Sequence, residues 1–356
     1  MSKTTGKSYS VWTAFRLRAV LVVFVIFTLL GCDQKSPENS SNRVSEVATA
    51  DNSEYARPVA PKPINPLDPK YNISASKPWR IVVIMKGPEE NNLYWRKIQQ
   101  GFIKGAKDWG VELKIRFTPP APEKWAAQAA LVEQVIAAKP DGVILLPIDS
   151  LKMTTSAKAL TDAQIPYLIM DTPLIGGQPI TQLTFDNQLA AQQIAKWFAQ
   201  SLGKDKRILV LDGDWAAQNA QQRQRGFRAG LNDTGVNIIA VHPANWSRKE
   251  AFKAAYHWLT TYYYVDGVIA ASDQMALGAL DAVELLNRQS VAIAGFDGNA
   301  EAIRAVQQGR MLATIDQRPT AQAMQGIQLL IRYLESGEKY PEQILWPPGD
   351  IITRSP

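Results

Sequence analysis

Residues 268–319 read VIAASDQMALGALDAVELLNRQSVAIAGFDGNAEAIRAVQQGRMLATIDQRP, and their switching between short apolar runs and helical spacing leaves few folds open. Val268 to Ala271 is too short for a buried helix and ends at Ser272 and Asp273, residues suited to a helix N-cap. Met275, Leu277, Leu280, Val283 and Leu286 then carry one buried helix face. Next come a strand over Val291–Ala294, a tight turn at Gly295–Gly298, a helix over Ala300–Gln308 and a strand closing at Gln317, with Pro319 placed to open another helix. Strand-helix alternation of this kind builds a parallel sheet, whose strands' carboxyl ends open into one crevice where ligands bind. Asp273, Asp297 and Gln317 all stand at such ends. Each alone also reads as a cap or turn former; three together point to a site.

The same rhythm begins at Arg80, with strands at Ile81–Met85, Val111–Phe117, Val143–Leu146 and Tyr167–Met170 and helices between them. After a loop rich in Gly and Pro, Thr181–Phe185 leads to Asp186 and a long helix, and a second cycle starts at Ile208. The chain therefore holds two successive alternating halves, each of domain size, and no short repeat.

Ahead of them lies a different kind of sequence. Lys3, Lys7, Arg16 and Arg18 precede the first acidic residue, Asp33, and supply most of the formal charge of +6, so no basic stripe remains for nucleic acid. They flank the uncharged run Ala19–Leu30, short of the roughly 20 apolar residues of a spanning helix and suited to a signal peptide. Leu29-Leu30-Gly31-Cys32 resembles the lipobox of bacterial lipoproteins, although Leu30 stands where a small residue is usual. The resemblance implies cleavage after residue 31 and lipidation of Cys32, with Asp33 retaining the protein on the outer face of the inner membrane. Cys32 is the only cysteine, so no intramolecular disulfide can form. Residues 32–78 are rich in Ser, Asn and Pro and are expected to form an extended tether with a mean reach of about 40 Å.

SDQMALGAL, AIAGFDG and LATIDQRP, in this order and spacing, resemble the last third of the ribose-binding-protein-like family of type I periplasmic sugar-binding proteins, whose core repressors share. The resemblance covers about residues 80–353. It implies an α/β fold of two doubly wound parallel-sheet lobes joined by a three-stranded hinge. The N-terminal lobe would hold 79–184 plus 318–343 and the C-terminal lobe 185–317 plus 344–356, with crossings near Phe185, Gln317 and Ile344. Sugars present hydroxyls at the ring edge and C–H patches on the faces, so a sugar site needs planar polar side chains and aromatic rings. Matched to the family pattern, the ligand residues are Asn92, Tyr94, Trp95, Asp171, Trp246, Asp297 and Gln317. The pattern departs at four positions, where Leu146 and Ser272 replace asparagines and Thr172 and Gln221 replace arginines. Thr172, Gln221, Ser272 and Lys86 are further candidate contacts. Losing two guanidinium forks argues against ribose itself. Arg223 and Arg225 lie near the lost arginine, but sequence does not place them.

No Gly-x-Ser-x-Gly elbow, no complete phosphate-binding Gly-x4-Gly-Lys-Ser/Thr loop and no Cys-x-x-Cys pair is present, and His242 and His257 are far apart. The expectation is a non-enzyme without cofactor or metal. A repressor would need a DNA-binding helix pair where this chain has a signal sequence. Two readings remain: a lipid-anchored periplasmic protein that closes on a monosaccharide or derivative and delivers it to an ABC importer, or one that signals through a membrane sensor kinase or chemoreceptor.

Overall fold

The computed structural model describes residues 73–87 and 92–354; the signal and lipidation readings, Cys32 included, lie outside the described residues. The first half runs β1 (Arg80–Met85), α1 (Leu93–Trp109), β2 (Glu112–Phe117), α2 (Lys124–Ala137), β3 (Gly142–Leu145), α3 (Thr154–Asp162), β4 (Tyr167–Asp171) and β5 (Gln182–Phe185). The second runs α4 (Asn187–Leu202), β6 (Arg207–Asp212), α5 (Gln218–Leu231), β7 (Asn237–Pro243), α6 (Arg248–Thr261), β8 (Gly267–Ala270), α7 (Asp273–Leu285), β9 (Ala292–Ala294), α8 (Ala300–Gln307) and β10 (Ala313–Ile315). The chain finishes with α9 (Pro319–Ser336), β11 (Gln343–Trp346) and β12 (Ile351–Thr353).

Two six-stranded sheets result, ordered β11-β5-β4-β3-β1-β2 and β12-β10-β9-β8-β6-β7. All pairings are parallel except β12 against β10, an antiparallel edge. β3, β4, β5 and β8 are buried along their whole length, because helices cover both faces of each sheet. This is why those strands read as continuous apolar runs. α9, opened by Pro319 and closed by Gly337, returns to pack on α1 of the first lobe.

Three segments cross between the sheets: Phe185 to Asn187, Ile315 to Pro319 and Trp346 to Ile351. They are cross-linked, with Asp186 N donating to Trp346 O, Asp316 N to Asp350 O and Gly349 N to Asp316 O. The third crossing lies later than the expected Ile344. β11 pairs with β5 through Trp346 and so belongs to the first sheet, and the chain crosses to the second only after that residue. The tether boundary also moves. Ile73 and Ala75 pack against the core, Ala75 N donates to Trp109 O, and Ser76 and Trp79 both hydrogen-bond Glu335 of α9, so residues 73–78 are docked chain rather than free coil.

Away from the crossings, hydrogen bonds join the lobes at two places among the described residues. Lys97 of α1 donates to the carbonyl of Gly298 at 2.7 Å. On the other side, Ser150 N donates to Ala216 O at 3.0 Å and Gln218 N donates to Ser150 Oγ at 2.8 Å. Ala217, the N-cap of α5, has no side chain able to cap, so the cap comes from the opposite lobe.

Candidate functional site

The carboxyl ends of the two sheets enclose a cavity of about 350 Å³ lined from both lobes. On the first lobe, β4 delivers Asp171, which is 6% exposed and held at φ +70°, a left-handed conformation that aspartate tolerates better than most side chains. Its Oδ1 accepts from the Tyr94 hydroxyl at 2.8 Å, and its Oδ2 accepts from Lys86 Nζ at 2.6 Å. Lys86 also donates to the hydroxyl of Thr172. Burial pushes the Asp171 carboxyl up, but the charge and hydrogen bond of Lys86, the Tyr94 hydroxyl and the Arg223 charge outweigh it and hold the group below the ordinary carboxylate value. Tyr94 is driven well above the usual phenol value by burial and then by the charges of Asp171 and Asp297, one from each lobe.

Asn92 caps α1 by accepting from Tyr94 N at 2.9 Å. Its side-chain oxygen is thereby used, which leaves the amide NH2 for a ligand. Trp95 stands edge-on to Tyr94, ring centroids 4.9 Å apart, and Lys86 Nζ lies 5.3 Å from the Trp95 ring centre.

On the second lobe, Asp297 is 5% exposed at φ +125°. Its Oδ1 accepts from Gln317 Nε2 at 2.6 Å and from Arg223 Nη1 at 3.4 Å, and its Oδ2 from Asp273 N at 3.4 Å. Burial drives the Asp297 carboxyl up to about 6 against the pull of Arg223 and Gln317, with Asp171 adding to the rise. Asp273 turns inward and does not line the cavity. It accepts from Asn299 N and Thr314 Oγ1, and burial and then the Asp297 charge raise it well above the ordinary value. Ser272 caps α7 by accepting from Met275 N, which leaves its hydroxyl proton free to point into the cavity it lines.

Trp246 lines the same cavity as Trp95, from the other lobe's loop after β7. Asn245 and Trp246 both take left-handed backbone, φ +52° and +62°. Gly213 makes room for the ring: a Cβ there would lie 2.2 Å from the indole carbons.

The structure thus gathers Asn92, Tyr94, Trp95, Asp171, Trp246, Asp297, Gln317, Lys86 and Ser272 around one cavity. Two candidates stand elsewhere. Thr172 is fully buried beneath the wall, where it supports Lys86, and Gln221 is exposed with its amide on the Trp215 carbonyl. The arginine that matters on α5 is Arg223, 3% exposed, which donates to Asn187 Oδ1 at 2.8 Å and to Ala271 O at 2.6 Å and lies 3.9 Å over the Phe296 ring. Helical spacing holds the signal. Asn219, Arg223, Phe227 and Leu231 share the buried face of α5, and Gln221 falls on the opposite side. α5 can seat Arg223 there because Gly226 and Gly230 bring it against α4, where a Cβ would stand 2.3 Å from the carbonyls of Gln188 and Gln192. Positions 172 and 221 lack a cation as expected, but Lys86 and Arg223 bring one to each cavity aspartate, Asp171 and Asp297. Asn219, Asp214, Lys124 and Gln274 also line the cavity and are not singled out by the sequence. Among the described residues no group of three or more His, Cys, Asp or Glu is placed to hold a metal ion.

Two parallel-sheet lobes, joined by three crossings, face each other across a polar and aromatic cavity, the architecture of a two-lobed binding protein. The chain belongs to the family described as periplasmic binding protein domain, whose pattern matches residues 81–339. It is 27% identical over 249 residues to the ribose import binding protein of Salmonella typhimurium, an alignment covering 70% of this chain and 83% of that one. It is 28% identical over 238 residues to the D-ribose/D-allose-binding protein of Pseudomonas aeruginosa, covering 64% and 74%. Among solved structures, a periplasmic solute-binding protein of an ABC transporter from Actinobacillus succinogenes, with bound D-allose, superposes with a TM-score of 0.71 at 28% identity, over 77% of this chain and 97% of that one. These relatives are named for binding and transport rather than for a reaction.

Proposed function

We propose that this protein is a periplasmic solute-binding lipoprotein that shuts on one neutral polyhydroxylated ligand, a monosaccharide or derivative, and delivers it to an ABC importer. One observation carries the ligand class: two of the three cavity carboxylates are paired with a cation of their own lobe, Asp171 with Lys86 and Asp297 with Arg223, and the third, Asp214, is matched in number by Lys124 on the lining. Walls balanced in this way favour an uncharged guest, because a net ionic ligand would leave one buried charge without a partner. Trp95 and Trp246 supply apolar faces for the ring, and the surrounding amides and carboxylates take its edge hydroxyls. Closure is a hinge motion about the three crossings, and a ligand touching both lobes stabilises the shut state.

The names of the relatives support import as the destination, and the sequence from Lys3 to Cys32 supports a lipid anchor. The test is a calorimetric and thermal-shift screen of the purified protein against pentoses, hexoses, polyols, amino acids and organic acids. Saturable binding of a neutral sugar or polyol with a raised Tm is expected. A response confined to amino acids or organic acids overturns the ligand class.

A further inference from the structure

A second cavity, of about 420 Å³, lies at the far end of the first lobe from the ligand cavity. Its lining comes from the amino ends of β4 and β5 and from the chain between α9 and β11, whereas the ligand cavity opens at the carboxyl ends. Tyr167, Tyr333 and Tyr340 contribute rings, Pro166 and Pro179 add apolar edges, and Glu338 and Lys339 bring one charge of each sign. The wall is fixed in place: the Tyr167 hydroxyl accepts from Gln178 N at 2.8 Å, and the Tyr340 hydroxyl donates to Leu329 O at 3.2 Å. None of these residues belongs to the ligand cavity.

The chain that enters the first lobe passes beside this second cavity. Ser76 is held by Glu335, and Tyr333 and Glu338 stand two and three residues from Glu335, no more than about 12 Å away. Upstream, Pro63, Pro66 and Pro69 recur at every third residue. Three residues make one turn of polyproline II, so this spacing puts all three rings on one face, the form that aromatic-lined grooves bind. The chain from Pro69 to Ser76 can span up to about 24 Å, twice the interval to be bridged.

We propose that residues 63–69 dock in this cavity, as a strap laid by the chain on its own first lobe. The charges agree, since Asp68 and Lys70 are opposite in sign to Lys339 and Glu338. A linker this short gives an effective concentration of about 1 mM, so an intrinsic Kd of about 0.1 mM yields about ten docked molecules for each undocked one. With the strap docked, the free tether ends near residue 62 and its mean reach falls from about 40 Å to about 30 Å. The docking does not depend on which ligand the other cavity takes.

The test is limited trypsin digestion of the full-length protein in detergent, with cleavage after Lys70 timed against cleavage after Arg43. The packing of Ile73 also slows cleavage at Lys70, and variants separate the two causes. Pro66 precedes both lobes, so Pro66→Ala leaves their cores intact. Docking weakened about tenfold would raise the undocked fraction from about one in eleven to about one in two, and cleavage after Lys70 should quicken about fivefold while Arg43 is unchanged. Tyr333→Ala, on the cavity side, should do the same. Equal wild-type rates at Lys70 and Arg43, or no acceleration at Lys70 in Pro66→Ala, overturns the proposal. Acceleration in Pro66→Ala but not in Tyr333→Ala sends the segment elsewhere and overturns it as well. Protection that grows with protein concentration puts a second copy's segment in the cavity and overturns docking within one chain.

Discussion

Lys86 Nζ stands 2.6 Å from Oδ2 of Asp171, so a residue of the first loop supplies the cation that the resembled family takes from the position held here by Thr172. Both partners are largely buried, their side chains 15% and 5% exposed. Lys86→Met leaves the carboxylate uncompensated and should destabilise the protein by about 3–5 kcal/mol in urea unfolding at pH 7. It should also raise the Asp171 pKa, so much of the loss returns once the carboxyl is protonated. A loss under about 1 kcal/mol, the scale of an exposed pair, would mean that the pair carries no such role.

Asp297 sets a pH dependence of the opposite sign. Its carboxyl is raised to about 6 in the folded protein. The native state therefore holds a proton that the unfolded chain has released between about pH 4 and 6, and stability falls as pH rises through that window. Asp171, held low, contributes stability above the ordinary carboxylate value and loses it as pH falls below about 4. Urea titrations from about pH 4.5 to 7 should show a decline on the order of 2–3 kcal/mol that flattens in Asp297→Asn. An unchanged slope in the variant would assign the effect to Asp273 instead.

Trp246 should respond to a substitution outside its own loop. Gly213→Ala places a methyl group where the indole now lies and must displace it. The variant should lose at least about tenfold in affinity for the wild-type ligand and show an altered tryptophan emission on binding, with global stability reduced by only about 1–3 kcal/mol. Undiminished affinity would show that the ring does not face the ligand.

Much of the fold, and which residues gather at the candidate site, is legible in the sequence, and the exceptions have physical causes. Strand-helix alternation is plain because parallel strands covered on both faces are apolar throughout, and Ser272 is legible as a cap because its type and place agree. Lys86 is legible as a candidate contact but its partner is not, because nothing local says that its side chain turns back to a strand two places across the sheet. Linear matching favours Gln221 over Arg223, although the buried face of α5 argues for the latter. β11 escapes a local reading as part of the first sheet because its partner β5 lies far earlier in the chain, and no local signal encodes so distant a pairing.

Targeting is tested apart from the fold. Cys32→Ser should accumulate as unprocessed precursor, since the lipidated cysteine is the cleavage substrate, whereas the wild-type protein should fractionate with membranes through its acyl chains. Normal processing and fractionation of the Ser variant would remove the lipoprotein reading.

Ser150 caps a helix that belongs to the other lobe, and this ties a local event to a global one. In the proposed hinge opening, Gln218 N would lose its acceptor and the first turn of α5 would be free to fray. The opened protein would then present part of its binding wall as a loosened coil end, and shutting would rebuild it. Deuterium uptake at the amide of Gln218 would then act as a stopwatch for that opening.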